Sequence, residues 1–480
     1  MRVIGAILFV IMSLFGSSAG AAGAVSWAGS VELPGGILLE FTVLLGDDSG
    51  TISIPMQGAM DVPLSDVSTA DGRLRFTIRM EGAPESTHAR FDLTVADDGR
   101  TAAGLLRQGG GEFKVSARRL DEGETPAVMR RPQEPRPPFP YESHDVTFRN
   151  DAAGVTLAGT LSIPGTPGPH PAVVLISGSG PQDRDESILG HKPFLVLSDH
   201  LVRRGIAVLR HDDRGVGGST GSFAASTSDD FATDALAAIA YLKQRPEIDA
   251  GRIGLAGHSE GGIVAPMCAA QSEDVAFIVL LAGTGVPGAE ILEVQGRLIA
   301  MAMGKSEEEA RQDARGSVEI YRSITDGGTR QEILGQIKSL AVRQIQASPE
   351  GLTLSPEEVD HRADVVANSN IDQVMSPWFI RFLRLDPREY LVRVKCPVLA
   401  INGMVDLQVH HEQNLPEIEK ALRAGGNQDV TIVALPGLNH LFQRCETGSP
   451  SEYSRIEETF SPEALELIAS WIRQRSGLKD

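Results

Sequence analysis

The chain has 480 residues, 41% hydrophobic and 22% charged, an ordinary balance for a soluble globular protein whose length alone allows roughly three domains. Lys and Arg number 44 against 63 Asp and Glu, a formal net charge of −19, so the chain repels phosphate backbones and nucleic acid is not an expected partner. Cys268, Cys396 and Cys445 are too few and too scattered for a disulfide framework and show no metal-ligand spacing; a Cys396–Cys445 pair and free thiols both stay open.

Residues 1–24 read as an export signal. Met1 and Arg2 give a positive start, Val3 to Phe15 an apolar run, and Ala19-Gly20-Ala21 or Ala22-Gly23-Ala24 a small-residue cleavage site. The run is too short to span a bilayer, so a periplasmic or secreted location is expected and stable membrane insertion is not. Residues 25–120 read as a small all-β domain. Leu38 to Leu45, Thr51 to Ile54, Arg73 to Met80, Arg90 to Val95 and Glu112 to Ala117 are short strands broken by Gly and Asp signals, spaced as in a small barrel or sandwich. Nothing in this part reads as catalytic. Residues 121–141 form a linker whose prolines, from Pro132 to Pro140, favour extended polyproline II and a stiff spacer over a packed element.

From 142 to 480 strands alternate with helices. A hairpin turns at Asn150-Asp151, Ala172 to Ile176 and Ile206 to Leu209 are continuous apolar strands, and Phe194, Leu197 and Leu201 share a helical face. A helix from Asp230 to Arg245, capped by Ser228 or Asp229, precedes strands Ile253 to Ala256 and Phe277 to Leu281. The alternation then lapses over about 286–392, where Ile291, Val294, Leu298 and Met301 share one helical face and Ile333, Ile337 and Leu340 another. Strands Val398 to Ile401 and Thr431 to Leu435 and a helix from Pro462 to Arg475, capped by Ser461, close the chain. The pattern is a doubly wound, mostly parallel α/β sheet with a helical lid inserted over the strand edge where ligands bind.

Gly257-His258-Ser259-Glu260-Gly261 fits the nucleophile elbow G-x-S-x-G between a strand and a helix. An aliphatic hydroxyl is a poor nucleophile at neutral pH, so Ser259 needs a base, and the base needs a group to hold its tautomer. Asp406 follows the strand ending at Ile401, and His440 follows the one ending at Leu435, so both loops converge on Ser259. His410 and His411 lie too close to Asp406 in the chain to reach across; His361 and Asp372 belong to the lid with surface roles, and His258, beside the elbow, reads as a packing residue or as one that supports the reacting groups from behind. The oxyanion takes the backbone N–H of Glu260 and, from the loop Ser177-Gly178-Ser179-Gly180, that of Ser179, Pro181 having none to give. Arg214, in Asp212-Asp213-Arg214-Gly215, reads as a loop tether.

With Ser177-Gly178-Ser179-Gly180-Pro181-Gln182-Asp183-Arg184, Asp213-Arg214-Gly215-Val216-Gly217, the elbow, Asn402-Gly403-Met404-Val405-Asp406 and Pro436-Gly437-Leu438-Asn439-His440, the chain resembles the α/β-hydrolase superfamily over about 141–479. More narrowly it resembles bacterial two-domain serine carboxylesterases with an N-terminal β-rich domain. That resemblance implies hydrolysis of short-chain carboxylic esters, a small-molecule ester as partner and no cofactor or metal. Ser177 departs from it, since many relatives have histidine there. The same machinery serves thioesterases, acyltransferases and serine peptidases, and an inactive hydrolase fold would serve as a binding protein.

Overall fold

Nine antiparallel strands form the first sheet: β1 (Val25–Glu32), β2 (Leu38–Leu45), β3 (Gly50–Ile54), β4 (Ala59–Pro63), β5 (Ser65–Ser68), β6 (Arg73–Ile78), β7 (Ala89–Val95), β8 (Thr101–Gln108) and β9 (Gly111–Arg119). The computed structural model describes residues 25–33, 38–46, 48–54, 59–79, 87–109, 111–121, 124, 131–348 and 351–478; the expected export signal, and residues 122–123 and 125–130 of the expected linker, lie outside the described residues. The strand order is β4-β3-β2-β1-β9-β8-β7-β6-β5. Its two edge strands are consecutive in the chain and joined only by Leu64, so the sheet curls until its edges meet at that corner. Alternate residues point inward, among them Phe41, Val43, Phe76, Phe91 and Val115, and the rings of Phe76 and Phe91 stack 4.6 Å apart. Four of these strands, β1, β4, β5 and β8, were not expected.

The expected spacer is tied down where it is described. Arg131 donates to the carbonyls of Leu189, Gly190, Ser454 and Ile456 at 2.7–3.2 Å, and Gln133 bonds the backbone of Thr459 and Phe460. Prolines remove backbone donors here, yet the side chains between them satisfy carbonyls of two loops that have no ladder to join.

The second sheet contains β10 (Tyr141–Asn150), β11 (Val155–Pro164), β12 (His170–Ile176), β13 (Ala207–His211), β14 (Ile248–His258), β15 (Ile278–Leu281), β16 (Val398–Gly403) and β17 (Val430–Leu435), in the order β10-β11-β13-β12-β14-β15-β16-β17. The pairs from β13 through β17 are parallel, and β10 and β11 are antiparallel. Helices cover both faces. On one side α2 (Ser228–Leu242), α3 (Gly261–Ala269) and α10 (His411–Ala424) bury their apolar stripes; on the other lie α1 (Pro193–Val202) and α11 (Pro462–Arg475). The helix expected from Asp230 starts at Ser228 because Thr227 holds the N-cap position, where its backbone N–H donates to Asp230 at 2.9 Å. After β12 the chain adds β13 on one side and then crosses to add β14 on the other, and this switch makes the C-terminal ends of the parallel strands β12 and β14 the crevice of the sheet.

Between β15 and β16 the chain is helical: α4 (Gly288–Ala302), α5 (Glu307–Thr325), α6 (Arg330–Gln346), α7 (Pro356–Val374), α8 (Pro377–Arg384) and α9 (Arg388–Leu391). Ile333, Ile337 and Leu340 pack in its core with Tyr321 and Ile371. The face expected on α4 buries fully only at Ile291, and Met301 is 37% exposed. No helix among the described residues is long and apolar enough to cross a membrane.

Candidate active site

Strand β14 runs straight into the elbow. Ser259 holds φ at +52°, a left-handed conformation unfavourable for a side-chain-bearing residue, and its N–H is fixed to the Leu281 carbonyl at 2.9 Å. The turn closes so tightly that a Cβ on Gly257 would stand 1.9 Å from the Gly261 carbonyl oxygen, and one on Gly261 would stand 2.3 Å from that of Ile176. Glycine is the residue that fits at both places.

Asp406 is wholly buried. One of its oxygens, Oδ1, accepts the backbone N–H groups of Gln408 and Val409 at 2.7 and 3.0 Å, so the loop after β16 turns back on it and leaves Oδ2 facing out. Oδ2 meets His440 Nδ1 at 2.8 Å. The loop after β17 that presents His440 is folded around Asn439, whose Oδ1 accepts the N–H groups of Leu441 and Gln443. The two loops meet because position 403 is glycine: a Cβ there would lie 2.1 Å from the Leu438 carbonyl oxygen. A carboxylate accepting Nδ1–H leaves Nε2 as the basic nitrogen.

His258, the residue before Ser259, brings the elbow and this loop together. Its ring lies 4.7 Å from that of His440, and its Nε2 donates to the His440 carbonyl at 3.0 Å. No hydrogen bond joins Ser259 Oγ to His440 among the described residues; such contacts commonly tighten only when substrate is bound.

The loop after β12 passes over Ser259. Its donors are largely spent: Gly178 N–H goes to Glu186 at 2.7 Å, Gln182 N–H to Asp213 at 2.9 Å and Arg184 N–H to Asp212 at 2.9 Å. Ser179 N–H and Glu260 N–H have no acceptor among the described residues, the state that oxyanion donors require. The Glu260 carboxyl is buried at the N-cap of α3 and accepts Ser228 Oγ at 2.6 Å and Trp378 Nε1 at 2.8 Å. Burial pushes this carboxyl above its ordinary value, opposed by the hydrogen bonds from Ser228, Trp378 and Ser179. Through Trp378, helix α8 of the insertion is tied to the residue beside the elbow.

The other residues singled out in the sequence stand apart. His410 and His411 sit at the start of α10, His361 is on the exposed side of α7, and Asp372 pairs with Arg330 at 2.6 Å. Arg214 is a buried tether, bonded to Asp230 and Asp234. All three cysteines are free thiols, so the Cys396–Cys445 pair does not form.

The family model described as X-Pro dipeptidyl-peptidase (S15 family) matches residues 153–433, more than half of the chain. The chain belongs to the S15 family. It is also similar to esterase EstD of Thermotoga maritima, with 26% identity over 336 residues, 70% of this chain and 68% of EstD. Among solved structures it is similar to the Pyrococcus furiosus esterase Pf2001, at 17% identity over 72% of this chain and 98% of that one with a TM-score of 0.42. Est1E from Butyrivibrio proteoclasticus, solved with ferulic acid, is similar at 17% identity over 68% and 96% with a TM-score of 0.38. This S15 member is a hydrolase of the α/β-hydrolase fold with an N-terminal β-rich domain.

Two residues of the site escaped sequence reasoning. Glu186 reaches the elbow from 72 positions away and Trp378 from 118 positions away. Neither lies in a motif with Ser259; the one available signal was the density of acids in Asp183-Arg184-Asp185-Glu186 beside a glycine-rich loop.

Proposed function

We propose that this S15 member hydrolyses short-chain carboxylic esters through an acyl-enzyme on Ser259. Ser259 Oγ attacks the ester carbonyl carbon while His440 Nε2 takes its proton, and Asp406 holds Nδ1–H and stabilises the imidazolium that forms. The N–H groups of Glu260 and Ser179 receive the oxyanion. Collapse of the tetrahedral intermediate breaks the bond to the alcohol, which leaves with the proton from His440. Water then attacks the acyl-enzyme by the same route, releasing the carboxylic acid and restoring Ser259.

The observation that carries this reading is the 2.8 Å bond from His440 Nδ1 to Asp406, which leaves Nε2 open on a loop packed against His258, the neighbour of a serine in strained backbone. Similarity to EstD supports an ester over other acyl substrates. Ser259→Ala is expected to lower turnover of p-nitrophenyl acetate by on the order of 10⁴-fold or more, with the fold intact by circular dichroism. Near-wild-type turnover would assign the nucleophile elsewhere.

A second reading, cleavage of peptides after proline, is favoured by the family match itself. Both bonds break by the same attack, and the pocket decides between them. A panel pairing p-nitrophenyl esters with Xaa-Pro p-nitroanilides separates them: the ester reading predicts turnover of the first set only. We further propose a periplasmic or secreted location, checked by whether mature protein recovered outside the cytoplasm begins after residue 21 or 24.

A further inference from the structure

A second imidazole–carboxylate pair lies behind the proposed base. His258 and Glu186 are both buried, 7% and 3% exposed, and His258 Nδ1 lies 2.8 Å from Glu186 Oε1. The other ring nitrogen, Nε2, faces the carbonyl of His440 at 3.0 Å. A carbonyl oxygen only accepts, so Nε2 must carry a hydrogen. Glu186 Oε1 also accepts the N–H of Gly178, and a carboxylate has no hydrogen to give, so against the Glu186 carboxylate Nδ1 donates as well. A ring with hydrogen on both nitrogens is an imidazolium.

We infer that His258 is a standing imidazolium, paired with Glu186, that positions the proposed base and the oxyanion loop around Ser259. The pair links three separate segments: Glu186 holds Gly178 after β12, His258 ends β14, and His258 holds His440 after β17. Their proximity is tight, since a Cβ on Gly178 would lie 3.2 Å from both Glu186 Oε1 and the Ser259 Cβ, and 3.5 Å from His258 Nδ1. Glu186 is itself held with φ at +52°, a backbone conformation the surroundings must impose. Burial lowers the affinity of His258 for its proton, and the Glu186 charge and hydrogen bond more than offset this, with help from the His440 carbonyl and the Asp406 charge; the result lies above the ordinary histidine value. Unlike His440, this ring has no free nitrogen and so no route to exchange a proton with substrate. Its role is to position.

The inference rests on Ser259 and His440 acting as proposed, and the test separates the two. In full-length protein labelled with ¹⁵N-histidine at pH 7.5, with the His258 signals assigned by their loss in His258→Gln, both ring nitrogens of His258 are expected to be protonated, whereas an ordinary histidine is mostly neutral there. An unprotonated nitrogen on His258 overturns the inference, and this reading is independent of activity. Glu186→Gln keeps an oxygen for Gly178 and His258 but removes the charge. It is expected to lower kcat by roughly 10- to 100-fold with KM little changed, because the reacting groups shift out of alignment while the substrate pocket stays. A folded Glu186→Gln protein with kcat within twofold of wild type overturns the positioning role. If Ser259→Ala retained activity, the nucleophile reading would fall, and the positioning of that site with it, whatever the spectrum of His258.

Discussion

The two imidazole–carboxylate pairs beside Ser259 are built from the same groups at the same 2.8 Å spacing, yet they are suited to different work. Asp406 takes two backbone N–H groups on one oxygen and His440 on the other, and His440 Nε2 is left without a partner among the described residues. Glu186 takes Gly178 N–H and His258 on a single oxygen, and the far nitrogen of His258 is committed to a carbonyl. A proton acceptor needs an unoccupied nitrogen; a clamp needs both engaged. The difference lies in what surrounds each ring and not in the kind of residue present.

Substitution by the matching amide separates the pairs most sharply. In Asp406→Asn the side-chain oxygen stays with the N–H groups of Gln408 and Val409, which turns the NH₂ toward His440. Nδ1 must then accept, Nε2 carries the hydrogen, and the base is in the wrong tautomer. The expected loss is about 10⁴-fold in kcat with the fold retained, measured in steady-state ester hydrolysis. Glu186→Gln makes no such reversal, so its expected loss is smaller by about two to three orders of magnitude. Equal losses in the two variants would erase the distinction.

Gly178→Ala probes the contact between the clamp and the elbow. The new Cβ must push Glu186 Oε1, held by Gly178 and His258, or the Ser259 Cβ, fixed by the backbone, by a few tenths of an ångström. A loss of about 10-fold in kcat is expected, and an unchanged rate would show the loop free to yield.

The smallest effect is on stability and follows from the sign of the His258 shift. A histidine held above its unfolded value contributes stability that is fully present below about pH 6.5 and is lost as pH rises through its folded value. Glu186, the His440 carbonyl and Asp406 are the groups that hold it there. The Tm difference between wild type and Glu186→Gln is therefore expected to shrink as pH rises above about 6.5. A difference that stays constant would mean that His258 does not titrate with folding.

Legibility in the sequence followed the distance over which each constraint acts. The elbow was readable because five adjacent residues must satisfy one tight turn, and Asp406 and His440 were readable because each follows an apolar strand by a few residues. The second pair was not, since nothing local ties Glu186 to His258; only the fold of the loop after β12 brings them together. In the β-rich domain small residues interrupt the inward-facing rows of two overlooked strands. Strand β8 reads Thr-Ala-Ala-Gly-Leu-Leu-Arg-Gln, and its Gly104 is there because a Cβ would fall 2.1 Å from the Asp92 carbonyl oxygen on β7. Strand β1 carries Gly29, where a Cβ would strike Phe41 at 2.5 Å. Small residues that let neighbouring chains approach look, in sequence, like loop.

The central claim is that one serine, strained at the end of β14, carries the acyl group. Purified protein treated with a fluorophosphonate probe, digested and read by mass spectrometry, is expected to carry the adduct on the peptide containing Ser259 and to lose it in Ser259→Ala. An adduct on any other residue, or equal labelling of the variant, would contradict it.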